Sequence, residues 1–212
     1  MSSSSDPSVH GNLERYEVIV GVSGGIAAYK ACELVSTLVQ SGAGVTVAMT
    51  RAARKFVGPV TFQALTGRDV LSSLWDFDDR CGVRHITLTS AADLMLIAPA
   101  TANIIGKIAG GIADDLLSTL VISADSPVVL APAMNDRMWS NPIVKGNVSR
   151  LAELGYRFVG PGEGWLACGT LGPGRMAESQ EIFEVIVGML KANPPKMPGA
   201  KTKNAAPRMN TS

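Results

Sequence analysis

Cysteine and histidine are scarce in this chain, and neither sign of charge is in excess. The three cysteines, Cys32, Cys81 and Cys168, form no closely spaced pairs, which disfavours both a disulfide framework and a zinc site. The 19 Lys and Arg residues are balanced by 18 Asp and Glu residues, so no broad field of one sign favours nucleic acid or an anionic membrane. We therefore expect a small-molecule ligand and no metal.

Long hydrophobic runs are also missing, and no targeting segment is expected. No window of about eighteen uninterrupted apolar residues occurs, and the serine-rich amino terminus lacks a basic region followed by an apolar stretch. A cytoplasmic location is expected. With 46% hydrophobic residues, the chain can close one sizeable core but is short for two independent domains. We expect one catalytic domain over residues 15–192, flanked by disordered tails at 1–14 and 193–212.

The alternation of apolar runs with helix-period segments predicts an α/β fold in three layers, of the flavodoxin-like or Rossmann-like kind. Its central sheet is expected to be parallel, with helices on both faces. The predicted strands lie at residues 16–22, 45–49, 93–98, 127–131 and 156–159. Predicted helices include residues 116–121, 142–154 and 182–190, and a Gly-rich segment covers 160–174.

Polar residues after the first strand predict the solvent face of a helix. Lys30, Glu33, Thr37 and Gln40 recur at intervals of three and four, the spacing of one helical face. Other small and polar residues follow the predicted strand ends, at 23–25, 50–51, 99–103 and 132–135. Because such sheets bind ligands at the carboxyl ends of their strands, we expect the site at this edge.

The first strand end has the composition of a phosphate-binding loop. Ser23-Gly24-Gly25 lets backbone amides approach an anion, and the following helix points its positive end at the same place, although a tight turn also needs glycine. The second strand ends in Thr50-Arg51, where an NAD-binding unit usually carries an acidic residue. A hydroxyl and a cation suit a terminal phosphate, either of a flavin nucleotide or of NADP.

Residues 131–139 read Ala-Pro-Ala-Met-Asn-Asp-Arg-Met-Trp. This segment resembles the Pro-x-Met-Asn-x-x-Met-Trp motif of the flavin-containing cysteine decarboxylase family, and the resemblance extends over residues 17–187. Residues 21–30 are similar to the family's first phosphate loop, and residues 103–114 to its central segment. The resemblance implies FMN as cofactor, held by Ser23, Gly24, Gly25, Ile26, Thr50, Arg51, Thr101, Ala102, Asn103 and Ala133.

Residues 166–169 and 172–178 resemble the branch of this family that acts on 4′-phospho-N-pantothenoylcysteine, in which a flap with a reactive cysteine closes on the substrate. The implied reaction is FMN-dependent decarboxylation of this acid to 4′-phosphopantetheine in coenzyme A biosynthesis. The thiol is first oxidised to a thioaldehyde, which receives the electrons released with CO₂, and the enethiolate is then reduced. No synthetase domain, common in bacterial relatives, is expected within these residues.

The resemblance also implies roles for individual side chains. His85 would accept the thiol proton, Asn135 would hold the substrate carboxylate, and Cys168 would donate a proton to the enethiolate. Met134 and Met176 would contact the substrate together with Asn135 and Cys168.

The resemblance defines the residues that bind the substrate phosphate and the oligomeric state less closely. Lys107 and Arg175 are candidates to bind that phosphate, or else are solvated surface charges. Relatives form trimers or larger assemblies with FMN near the subunit boundary, so a homotrimer is expected. Three alternatives stay open: a peptidyl-cysteine decarboxylase of the lantibiotic type, a flavin prenyltransferase, and a non-catalytic flavin-binding regulatory subunit.

Overall fold

The computed structural model describes residues 12–74, 84–165, 169 and 171–196. For Arg84 and His85 it describes the backbone but not the side chains. A five-stranded parallel sheet lies at its centre, with the strand order β2-β1-β3-β4-β5. The strands are β1 (Glu17–Val22), β2 (Gly44–Met49), β3 (Leu94–Ala100), β4 (Val128–Pro132) and β5 (Arg157–Phe158). The predicted α/β fold with a parallel sheet is confirmed, and the strand order reverses beside β1.

Helices cover both faces of this sheet, and among the described residues none is long and apolar enough to cross a bilayer. They are α1 (Ala28–Gln40), α2 (Pro59–Thr66), α3 (Arg84–Ala91), α4 (Ala102–Ala109), α5 (Leu116–Ile122), α6 (Asp136–Ser140), α7 (Pro142–Glu153) and α8 (Ser179–Lys191), with a 3₁₀ turn at Ala53–Lys55. The helices predicted at residues 116–121, 142–154 and 182–190 are present, as is the helix predicted after the first strand.

Alternation along the strands divides the core into two layers. Val18 and Val20 of β1 point into the cluster that contains residues of α1 and α8, whereas Ile19 points into the cluster with α4 and α5. Side chains of successive strand residues point to opposite faces, so a continuous apolar run such as that of β1 requires cover on both sides. This requirement explains the three-layer architecture.

The Gly-rich segment forms structure of its own. Strands β6 (Gly162–Trp165) and β7 (Leu171–Arg175) pair antiparallel as a two-stranded ribbon. Cys168 falls between these strands in the sequence and lies outside the described residues.

The predicted tail boundaries were wrong at both ends. Leu13 is fully buried in the core, although residues 1–14 were predicted to be a disordered tail. At the other end, the Tyr16 hydroxyl donates to the Asn193 carbonyl at 2.9 Å, and the N–H of Lys196 donates to Asp93 Oδ1 at 2.7 Å. The folded unit therefore includes residues 12–14 and 193–196.

Replacing Leu13 with alanine tests the amino-terminal boundary. We expect Leu13→Ala to lower the free energy of unfolding by about 2–5 kcal/mol, because it leaves a cavity in the core. Leu154→Ala is the control, since Leu154 is 65% exposed and its loss should change stability by about 0.5 kcal/mol or less. Urea denaturation measures both, and equal stabilities of the two variants would contradict the burial of Leu13.

Candidate functional site

The loop after β1 presents backbone donors at the start of α1. Within the described chain, the N–H groups of Gly24 and Ile26 have no hydrogen-bond partner, and Ala27 gives α1 no side-chain cap. A Cβ on Gly24 would collide with Ala52, so the loop after β2 packs directly against this turn. Free N–H groups and the positive end of a helix attract an anion, so the geometry supports the predicted phosphate loop.

Ser23 joins this loop to the loop after β3. Its side chain is 2% exposed; its hydroxyl donates to the Pro99 carbonyl at 2.7 Å and accepts from the Thr101 N–H at 3.1 Å. The Ser23 and Thr101 hydroxyl oxygens also lie 3.1 Å apart. The Ser23 hydroxyl is therefore engaged within the protein, and only the backbone of Ser23 remains to bind a cofactor as predicted.

The other predicted cofactor residues surround this junction. Thr101 caps α4, and a Cβ on Gly25 would lie 3.3 Å from its methyl group, so these two loops are in van der Waals contact. The Thr50 hydroxyl accepts from the Ala53 N–H at 3.1 Å, which fixes the turn that carries the exposed Arg51. Ala102 is half-buried and Asn103 is exposed beside Thr101. The structure thus brings the ends of β1, β2 and β3 together at one edge.

Asn135 lies at the corner after β4. Its Oδ1 accepts from the Met138 N–H at 2.8 Å and caps α6, while the side chain is exposed. The Ala133 N–H donates to the Ala100 carbonyl at 3.0 Å, which places this corner beside the end of β3. Because Oδ1 is engaged in the cap, the free donor of Asn135 is its side-chain NH₂, a group suited to binding a carboxylate.

Strand β7 packs directly on this corner. The Met134 N–H donates to the Gly174 carbonyl at 2.9 Å, and a Cβ on Gly174 would collide with the Met134 carbonyl oxygen. Gly174 also has a φ of +133°, in the range that favours glycine. The base of the β6–β7 ribbon is therefore fixed against the residues that position Asn135.

Three side chains that were candidates to contact the substrate or its phosphate are buried or already paired with carboxylates. Met176 is 1% exposed and belongs to the main core cluster, so its predicted contact with substrate gains no support from the structure and stays a prediction. Lys107 donates to Asp114 at 2.6 Å and Asp115 at 2.7 Å, and these hydrogen bonds raise its pKa. Arg175 lies 2.9 Å from Glu178. Both cations already have carboxylate partners.

Two catalytic predictions fall outside what the structure describes. His85 belongs to the first turn of α3, but its side chain is not described, and Cys168 lies in the undescribed stretch between β6 and β7. Their proposed roles stay predictions.

Lys30 does not lie on the solvent face of α1, contrary to the prediction from its spacing. Its side chain is only 10% exposed and its ammonium lies 3.0 Å from Glu178. Glu178 was not singled out as a functional residue. The apolar neighbours Ala31 and Leu34, both buried in α1, were a sequence signal that Lys30 lies near the core. The partner that makes this burial possible, Glu178, lies 148 residues away and could not be identified from the sequence.

The model of the Flavoprotein family matches residues 7–191. The chain belongs to the Flavoprotein family. Curated relatives include the coenzyme A biosynthesis bifunctional protein CoaBC of Bacillus subtilis (strain 168), 49% identical over 173 residues, and that of Escherichia coli (strain K12), 44% identical over 176 residues. The alignments cover 82% and 83% of this chain, but this Flavoprotein family member spans only 43% of the length of either relative.

Solved structures of similar proteins agree with this assignment. A cysteine-to-serine mutant of PPC decarboxylase complexed with pantothenoylaminoethenethiol is 32% identical with a TM-score of 0.76, covering 84% of this chain and 100% of that one. The FMN-dependent cysteine decarboxylase SpaF is 35% identical with a TM-score of 0.75, covering 85% and 98%. The whole fold of these proteins is therefore present in this Flavoprotein family chain.

The fit of β7 on the Asn135 corner can be tested with two glycine variants. Gly174→Ala should lower the free energy of unfolding by about 2 kcal/mol or more, because the new methyl group meets backbone and the φ is unfavourable. Gly188→Ala is the control: nothing lies within 4 Å of its added Cβ, and alanine should stabilise α8 by about 0.5–1 kcal/mol. Thermal and urea denaturation measure both, and a neutral Gly174→Ala would contradict the close packing.

Proposed function

We propose that this chain catalyses the FMN-dependent decarboxylation of 4′-phospho-N-pantothenoylcysteine to 4′-phosphopantetheine, a step of coenzyme A biosynthesis. The observation that carries the proposal is the placement of the exposed Asn135 amide at the same sheet edge as the anion-binding loop after β1. The CoaBC relatives and the PPC decarboxylase structure support the choice of substrate.

The residues at this edge fit FMN. The unpaired N–H groups of Gly24 and Ile26 and the exposed Arg51 suit its phosphate, since both supply positive charge or donors to an anion. Thr101, Ala102 and Asn103 at the start of α4 offer small and polar contacts for the ribityl chain and the ring edge. Ala133 and Met134 would border the ring on the β4 side.

In this mechanism the protein orients the substrate and moves its protons. FMN, when bound, would supply a reversible two-electron acceptor for the hydride on the carbon that bears sulfur. Asn135 orients the carboxylate through its NH₂ group, a neutral donor that avoids strong stabilisation of the ground state. His85 accepts the thiol proton, so the substrate becomes a thioaldehyde that can lose CO₂. Cys168 protonates the resulting enethiolate, and the product is the saturated thiol.

Assembly and location belong to the same proposal. We infer a homotrimer with FMN near the subunit boundary, supported by exposed apolar side chains beside the phosphate loop, where Ile26 and Tyr29 are each 61% exposed. Burial of Ile26 and Tyr29 in a subunit contact would cover this surface. A cytoplasmic location fits because a reducing compartment keeps the thiols of substrate and enzyme free.

A peptidyl-cysteine decarboxylase is the second candidate, because SpaF, at 35% identity, is an FMN-dependent cysteine decarboxylase, a description that leaves open what the cysteine is joined to. Both candidates use a substrate with a carboxyl-terminal cysteine unit, and they differ in what that unit is joined to. Assays with phosphopantothenoylcysteine and with a cysteine-ended peptide, run on the same protein, separate them: turnover of the peptide alone would replace the first proposal by the second.

The role of Cys168 gives the sharpest test of the proposed reaction. Wild type should convert phosphopantothenoylcysteine to phosphopantetheine with release of CO₂. Cys168→Ser should still bleach the flavin and release CO₂, but should accumulate the oxidised enethiol, because the proton donor for the last step is gone. Mass spectrometry of the products measures this.

Cys32→Ser is the matched control for this experiment. Cys32 is half-buried in α1 and packs against the core, so its replacement should give the wild-type product. Normal yields of phosphopantetheine from Cys168→Ser would overturn its role as proton donor. Absence of CO₂ from wild type would overturn the proposed function and favour a flavin-binding subunit without this activity.

A further inference from the structure

Glu178 connects two elements that hold opposite sides of the site. Its Oε2 accepts from the Lys30 ammonium of α1 at 3.0 Å, and its Oε1 lies 2.9 Å from Arg175 Nη2 of β7. Each carboxylate oxygen therefore pairs with a cation from a different element. Glu178 is also the N-cap of α8, but its side chain makes no capping hydrogen bond. Helix capping therefore does not explain the position of its carboxylate.

The two cations lie in different surroundings. The Lys30 side chain is 10% exposed, whereas that of Arg175 is 44% exposed. A buried ammonium needs a partner because transfer out of water is costly, and Glu178, whose side chain is 62% exposed, supplies that carboxylate to Lys30. The hydrogen bond from Lys30 lowers the pKa of Glu178. A second contact, from the Ser179 hydroxyl to Glu33 Oε2 at 2.7 Å, also joins α1 to the start of α8.

From Arg175 the contacts lead directly to the substrate corner. Arg175 follows Gly174, whose carbonyl accepts from the Met134 N–H at 2.9 Å. Met134 precedes Asn135, whose Oδ1 caps α6. At the other end, Lys30 lies in the first turn of α1, directly after the phosphate loop. A continuous series of contacts therefore joins the phosphate loop to Asn135.

We propose that Glu178 is a positioning residue which, by holding Lys30 and Arg175 together, sets the place of β7 and of the Asn135 corner relative to the phosphate loop. Glu178 does not touch the substrate and acts through Asn135. The part of this inference that concerns substrate rests on the proposed function. The part that concerns the corner itself does not.

Hydrogen exchange tests the position of the corner without any substrate. In Glu178→Gln, the side chain loses its negative charge and one of its two acceptor oxygens, so both ion pairs weaken. The Met134 and Met138 N–H groups should then exchange at least about fivefold faster than in wild type, because local opening of their hydrogen bonds becomes easier. Glu181→Gln is the matched control, since Glu181 lies in the first turn of α8 and makes the same charge change. Unchanged exchange in Glu178→Gln, or equal acceleration in Glu181→Gln, would overturn the proposal.

A double-mutant cycle tests whether Glu178 acts through Asn135. With saturating phosphopantothenoylcysteine in the absence of oxygen, Glu178→Gln should slow flavin reduction about tenfold in an otherwise wild-type chain, while FMN affinity stays within about twofold. On an Asn135→Ala background, the same change should have no further effect. A purely structural role would instead lower melting temperature and slow both backgrounds equally, which would contradict the proposal.

Further variants keep the inference testable if Glu178→Gln does not fold. Arg175→Met removes only the ion pair between Glu178 and β7, and it should also give faster exchange at Met134 and slower flavin reduction. Lys30→Arg keeps the charge and should preserve wild-type exchange at Met134. A wild-type exchange rate in Arg175→Met would overturn the proposal. If wild type itself is not reduced by the substrate, the proposed function fails, and the exchange measurement alone decides the positioning role.

Discussion

The buried hydroxyl of Ser23 is the constraint on which the site depends. It lies where the strand order reverses, and it binds the Pro99 carbonyl and the Thr101 N–H at the end of the neighbouring strand. A crevice at such a reversal opens because the two connections leave on opposite faces of the sheet. The Ser23 hydroxyl keeps the two loops together, so that their free backbone donors and small side chains face one ligand.

The remaining parts of the site are added around this junction by packing and backbone contacts. The loop after β2 packs on Gly24 through Ala52, and the corner after β4 is held to the end of β3 by the bond from Ala133 to Ala100. The β6–β7 ribbon then rests on Met134 through Gly174. Glycine occurs where backbone must approach backbone, so the sequence of this edge is restricted by steric contact as well as by ligand chemistry.

Structure that depends on a short segment could be predicted from the sequence, whereas contacts between distant segments could not. The strands were found because buried parallel strands are continuous apolar runs. Lys30 was placed on the wrong face, because the polar period of α1 includes it and its partner Glu178 lies far along the chain. Leu13 was assigned to a tail because a single apolar residue beside a serine-rich stretch has no period. The β6–β7 ribbon lacks apolar alternation, so its pairing had no signal beyond its glycines.

We infer that the hydroxyl of Ser23 builds the cofactor site by joining two loops. Titration of FMN into the apoprotein, followed by quenching of flavin fluorescence, tests it directly in Ser23→Ala, with Ser140→Ala on exposed α6 as the control. We expect Ser23→Ala to weaken FMN binding about tenfold or more, because the Pro99 carbonyl and the Thr101 N–H are left unpaired, while Ser140→Ala should bind FMN as wild type does. Undiminished FMN affinity in Ser23→Ala would contradict it.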